Sequence, residues 1–306
     1  MLILFCCALL TRTNLSGQHF TTVKSDDGVE ISENGKKVLF YQHRPKSMDG
    51  KYERAGYVHP LYSLSEKILT EDFPEDHPYH RGIFWAWHQI MLKDKQIADG
   101  WTCENISWEP VKLKIRKKEE FLVLQTDMLW KTGSEDNKST AILKEHSEIM
   151  VHQSTGRYRA IDFDIRLVAL VDSLKLGGSD DAKGYGGFCL RLKLPADISF
   201  VSGNTAIIPT ETAVTAGPWM KFSGSFDNES SLKTSVVVFC NPSNPGSQQQ
   251  WILRKQASMQ NIPYPGRTAI DLTKKRWRLR YRLIIYNDDI NNEELEKLFQ
   301  QYIHTL

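Results

Sequence analysis

The sequence predicts an all-β fold, a large β-sandwich finished by a C-terminal helix. Three observations predict it. Short runs alternate apolar and polar residues with a period of two along most of the chain, as strands with one wet face must. Turn-forming dipeptides punctuate those runs. Only one stretch, near the end, carries a helical stripe.

The elements follow in order. Phe20 to Val23, Val29 to Ile31 and Val38 to Tyr41 are separated by Asp27-Gly28 and Asn34-Gly35, dipeptides that accept the positive φ of tight hairpin turns, so a β-meander is expected to open the domain. Val111 to Arg116 alternates cleanly, and Phe121 to Leu124 and Met128 to Trp130 are expected as two further strands, with 131–139 a solvated loop. Ile161 to Leu167 and Phe188 to Leu194 alternate again. Near the end Trp277, Leu279, Tyr281 and Leu283 share one face and Arg278, Arg280 and Arg282 the other, which reads as a solvated face with cross-strand acid partners. The helix is expected after Asn291, which forms a capping pair with Glu294, and its stripe of Leu295, Leu298, Phe299, Tyr302 and Ile303 should pack on the outside of a sheet.

The 306 residues show no repeat and no linker long enough to divide them, so one domain is expected over 20–306. A formal net charge of +2 gives no electrostatic case for nucleic acid as a partner. The run from Leu2 to Leu10 is apolar but too short to span a bilayer as a helix. It has the length of a signal-peptide core, although the usual basic residues before it are missing. Residues 1–19 are therefore read as a signal peptide, with the mature protein periplasmic or secreted. Cys6 and Cys7 would leave with it, and Cys103, Cys189 and Cys240 lack the spacing of a zinc ribbon or disulfide framework.

The densest chemistry lies between Asp72 and His88. This span packs acids, histidines, Arg81 and two tryptophans behind Pro74 and Pro78, then turns into the apolar run Ile83 to Trp87. A rigid polar loop anchored by a buried strand is a common way to build a ligand site. His77 and His80 are the candidate acid/base pair, and Arg81 the candidate cation for a carboxylate or oxyanion, or else for a structural ion pair with Glu75 or Asp76. A metal would need a third ligand, which Asp76, His59 or His88 could supply; the spacing does not by itself make such a site, and no metal or cofactor is assigned. Core packing is the simpler role for Trp85 and Trp87, with sugar stacking by Trp87 the alternative. His88 reads as a buried ring. Gly184-Tyr185-Gly186-Gly187 suggests a bend where backbone approaches closely, with Tyr185 pointing inward; the spacing is not that of a phosphate loop. Gly217 to Gly224 reads as an aromatic turn, and Asn241-Pro242-Ser243-Asn244-Pro245 as a rigid loop whose Asn241 and Asn244 amides match hydroxyl groups.

Arg44-Pro45, Tyr57 to Tyr62, Asp76-His77-Pro78-Tyr79-His80-Arg81-Gly82, Gly184 to Gly187 and Asn241 to Pro245 together resemble the bacterial PmoA family, also described as DUF6807. Their order runs from about Phe20 to the terminal helix; members often carry His where this chain has Asn241. The name borrows from a membrane-embedded subunit of methane monooxygenase, and a chain with no stretch of spanning length is not expected to share that role. The resemblance also implies a fold similar to the galactose-mutarotase-like supersandwich, whose sugar sites lie on a concave sheet face.

These features lead to one expectation and one alternative. The expectation is an exported carbohydrate-active enzyme of epimerase, lyase or hydrolase type, with His77 and His80 exchanging protons, Arg81 holding charge, and His59, Asp76, Trp87, Tyr185, Asn241 and Asn244 around a small-molecule or oligosaccharide ligand. No convincing carboxylate pair for hydrolysis is visible; Glu145 and Glu148 read as surface charges. The alternative is a non-catalytic carbohydrate-binding protein using the same face. The sequence fixes neither substrate nor oligomeric state.

Overall fold

Two antiparallel sheets stacked face to face account for most of the chain in this computed structural model, which describes residues 19–133, 139–226, 233–246, 249–256, 259–272, 276–288 and 290–304. The seven-stranded sheet runs Phe20–Lys24, Gly28–Glu33, Lys36–Gln42, Tyr57–Leu61, Ile83–Trp87, Gly186–Leu190, Gln260–Pro263. The nine-stranded sheet runs Ser107–Lys117, Phe121–Gly133, Ser139–His152, Tyr158–Ala169, Trp277–Tyr286, Thr234–Cys240, Trp219–Gly224, Ser199–Ser202, Thr205–Ala206. A four-stranded sheet that includes Gln89–Leu92 and Lys95–Ala98 lies beside them. The expected all-β sandwich is what forms. The expected signal segment lies, apart from His19, outside the described residues, and among the described residues no helix is long and apolar enough to cross a membrane.

Period-two alternation decides what each sheet buries. Trp85, Trp87, Phe188 and Leu190 of the smaller sheet meet Phe163, Ile165, Leu279 and Tyr281 of the larger one in a common core. Phe188 stacks on Tyr281 with ring centroids 4.2 Å apart. Polar pins cross this core. The Tyr41 and Thr126 hydroxyls lie 3.0 Å apart, and the Arg159 guanidinium donates to Glu33 at 2.7 Å with both side chains buried. Glu145, expected at the surface, sits between the sheets instead. Its carboxylate accepts from the indoles of Trp85 at 2.8 Å and Trp130 at 3.0 Å and from the Ser147 hydroxyl at 2.6 Å. Burial pushes its pKa up against the pull of those three donors.

Several local expectations shift for physical reasons. The Asn34-Gly35 turn has positive φ at both residues, as expected, whereas Gly28 is already the first residue of its strand and the preceding turn falls on 25–27. Phe121 to Trp130 is not two strands but part of one, Phe121–Gly133, because Thr126 enters the core through its bond to Tyr41 and so the alternation never breaks. That strand and the next, Ser139–His152, also take up both ends of the expected loop, 131–133 and 139; 134–138 lie outside the described residues. Trp219 is not in a turn but starts a strand of the larger sheet.

The helix spans Asn292–His304 and covers the outer face of the larger sheet, where Phe299 and Tyr302 meet Phe239, Val237 and Ile284. Asn291 caps it by accepting from the Glu293 amide at 2.8 Å, while Glu294 turns away to Tyr286 and Arg157. Beside it runs the arginine ladder: Arg282 pairs with Asp162 at 2.5 Å and Arg278 with Asp164 at 2.5 Å.

Candidate functional site

The strand Ile83–Trp87 divides its side chains between two worlds. Trp85 and Trp87 face the inter-sheet core, and the Trp87 indole donates to the Tyr264 carbonyl at 2.7 Å. Trp87 is therefore a core residue and not a sugar platform. Phe84 and Ala86 face outward, joining Tyr57, Cys189 and Trp101, with Tyr79 and Tyr185 half-buried at the rim. This outer face of the smaller sheet carries the candidate site.

The loop before the strand folds back over that face. His80 is buried, and His77 stacks on it with ring centroids 4.8 Å apart and planes 8° from parallel. Beyond His80 the rings continue: Trp101 lies edge-on at 5.8 Å, and His88 stacks on Trp101 at 5.0 Å. Tyr79 packs against both His77 and His80, and Tyr185 meets Trp101 at 5.4 Å. Trp101 is held by Arg54, a buried guanidinium that donates to the carbonyls of Gly100 and Trp101 and lies over the rings of Phe84 and Trp108.

Each end of this ring series is braced by a carboxylate. His77 Nδ1 meets Asp76 Oδ2 at 2.7 Å, and His88 Nδ1 meets Asp99 Oδ2 at 2.8 Å. A carboxylate accepts only, so each Nδ1 donates, and in the neutral imidazole Nε2 holds the lone pair. Asp99 is itself fixed by the amides of Trp101 and Thr102. His88, expected as a buried ring satisfied by backbone, is thus a partly exposed imidazole with a carboxylate behind it.

His80 behaves differently. Burial, then the neighbouring His77 and Arg191, depress its pKa to about 2, so it is neutral at any physiological pH. Arg191 Nη1 lies 3.4 Å from His80 Nδ1, and a guanidinium can only donate, which puts the imidazole proton on Nε2. A neutral imidazole of this tautomer donates a hydrogen bond but does not serve as a cationic acid.

Arg191 is the cation that the sequence reading did not single out. It is buried, reaches Glu71 at 2.7 Å, and forks onto Asp76 at 2.7 Å and 3.1 Å. Burial alone would raise the Asp76 pKa, but the hydrogen bonds from Arg191 and His77 outweigh it and hold the carboxylate ionised. Alternation beyond Phe188 does put Arg191 on the same side as Cys189, although the strand ends at Leu190. Its role was hidden because three of its partners, Glu71, Asp76 and His80, lie more than a hundred residues away in sequence. A cleft of about 530 Å³ opens here, lined by Glu71, Pro74, Glu75, Asp76, Arg191 and Leu192 with Leu194.

The remaining expected residues separate. Arg81 is fully buried, stacked on Phe73 at 3.5 Å, donating to the carbonyls of Pro78, His80 and Tyr52 and paired with Asp72 at 3.5 Å. It organises the loop from within and does not reach the cleft. His59 bonds Thr70 at 3.0 Å, with burial lowering its pKa to about 4; it contacts none of the rings above. Asn241 and Asn244 lie on the other sheet, where Asn244 brackets the backbone of Arg280. Tyr185 and Asp76 are where a ligand on this face would meet them. Gly187, at φ +95°, lets the strand behind Tyr185 approach Ile262, whose carbonyl oxygen would sit 2.6 Å from any Cβ. Among the described residues no three His, Cys, Asp or Glu side chains are grouped to hold a metal ion.

The profile of a family described as DUF6807, a family of unknown function, matches residues 28–300. No curated protein matches the chain.

Proposed function

The chain belongs to the DUF6807 family, and, since that family's function is unknown, we propose from the chemistry of the site that it is an exported carbohydrate-active enzyme moving protons by histidine. One observation carries this reading: the ring series His77–His80–Trp101–His88, with an aspartate-braced imidazole at each end. Imidazole is the ordinary proton carrier near neutral pH, and a carboxylate on Nδ1 orients it and supports the cation that forms when Nε2 takes a proton. Two such groups on one face suit chemistry that removes a proton on one side of a ligand and returns one elsewhere, as in epimerisation or β-elimination. His80 Nε2–H contributes a neutral donor for a ligand oxygen. The half-buried rings of Tyr79 and Tyr185 offer flat apolar area with hydroxyl handles, which is what a sugar presents surfaces to.

In this reading the sandwich is a galactose-mutarotase-like supersandwich, the apolar N-terminal run is an export signal, and the PmoA-family name carries no methane chemistry. The stacked antiparallel sheets support the first of these. The test uses neutral sugars and uronic-acid oligosaccharides with product analysis. Turnover by the native protein should fall by about 100-fold or more in His77→Gln and in His88→Gln, with circular dichroism unchanged. Saturable binding with no product from any sugar would instead establish a non-catalytic carbohydrate-binding protein on the same face.

A further inference from the structure

The Asn241–Pro245 loop and the arginine ladder leave one cation unaccounted for. Arg278 and Arg282 each have an aspartate, and Arg166 shares Asp164 with Arg278. Arg280, directly opposite Asp164 across the strands, has no carboxylate partner among the described residues; its side chain bonds only the Ser243 hydroxyl, through Nη2. Among the described residues its Nε is screened from solvent without a partner, and its Nη1 makes no hydrogen bond.

The loop holds the backbone of Arg280 through its asparagines and the guanidinium through Ser243. Asn244 accepts from the Arg280 amide at 2.6 Å and donates to its carbonyl at 2.8 Å, and the Asn241 amide donates to the same carbonyl at 3.1 Å. Asn241 Oδ1 in turn takes the Ser243 hydroxyl proton at 2.6 Å, which leaves the Ser243 oxygen turned to Arg280. Arg280 opens into a cleft of about 460 Å³ between the outer face of the larger sheet and the C-terminal helix, within the size range of small-ligand sites. Around it stand the carboxylates of Glu120 and Glu148, Asp164 neutralised by Arg278, Asp162 shared by His152 at 2.8 Å and Arg282, and the half-buried apolar surfaces of Phe121 and Met150.

We infer that this cleft is a second binding site, on the opposite sheet from His77, for a hydroxylated monocarboxylate of sugar-acid size. The carboxylate meets Arg280, which lacks one; the hydroxyls meet Glu148 and His152; the ring face covers Phe121. The inference does not depend on chemistry at the His77 face.

Calorimetric titration with D-glucuronate, D-glucose and acetate tests it. Glucuronate should bind at least about 10-fold more tightly than either of the others, since each lacks one half of the recognition. Arg280→Met should weaken glucuronate by about 10-fold or more, and Arg280→Lys should give an intermediate loss because charge survives without the planar fork. The Lys variant keeps the test available if the Met variant folds poorly. No glucuronate binding at millimolar concentration, equal binding of glucose, or unaltered binding in both Arg280→Met and Arg280→Lys would each overturn the inference.

Discussion

At the scale of single residues, His80 ties the loop to pH. Its folded pKa of about 2 lies far below the ordinary histidine value of 6.5. Below pH 6.5 the unfolded chain therefore binds a proton that the folded chain refuses, so stability is fully present above that pH and is lost as pH falls toward 2. The slope is about 1.4 kcal/mol per pH unit. His59, partly exposed and depressed to about 4, adds in the same direction over the upper part of the window. Urea unfolding at pH 7, 6 and 5 should show this loss, and His80→Asn should be visibly flatter. An equally steep His80→Asn would mean that the buried neutral imidazole is not the cause. The pair Arg81 and Arg191 shows how far single residues can be read from sequence. Both are arginines beside apolar strands, and alternation alone does not say which cation reaches the cleft. Burial decided it: Arg81 turned under the loop onto Phe73, and Arg191 turned toward Asp76 and His80.

At the scale of elements, local chemistry was largely legible. The Asn34-Gly35 hairpin, the alternating strands around Phe163 and Tyr281 and the terminal helix are all written in short-range pattern. Helix capping was half legible, because Asn291 caps but Glu294 found stronger partners in Tyr286 and Arg157. This makes a prediction: Asn291→Ala should cost about 1 kcal/mol and Asn291→Gly only a few tenths, by thermal or chemical unfolding. Equal losses in both would point to a contact other than the cap. What the pattern missed were places where a polar residue enters the core. Thr126 kept a strand going that its neighbours Gln125 and Asp127 made look broken.

For the whole molecule, the main tie is the buried carboxylate of Glu145, which gathers two tryptophans from different sheets and a serine onto one group. Glu145→Ala would leave two indole N–H groups buried without acceptors and a cavity beside them. A loss on the order of 3–5 kcal/mol is expected. Denaturant unfolding followed by tryptophan fluorescence would measure it, and a loss under about 1 kcal/mol would show that the sheets do not rely on this pin. The sequence by itself determined that the chain is all-β, where its hairpins and helix lie, and that the segment around His77 is unusually rich in chemistry, because alternation, turn residues and capping act over a few residues. Only the tertiary structure decided which side chains meet. It sent Trp87 to the core, packed Trp101 against His80 on the outer face of the smaller sheet, and stacked His88 on Trp101; it placed Arg191 at the cleft, and moved Asn241 and Asn244 to the opposite sheet to hold Arg280. Those meetings join residues from about ten to more than a hundred positions apart, and they depend on strand order, twist and burial, which short-range pattern does not encode.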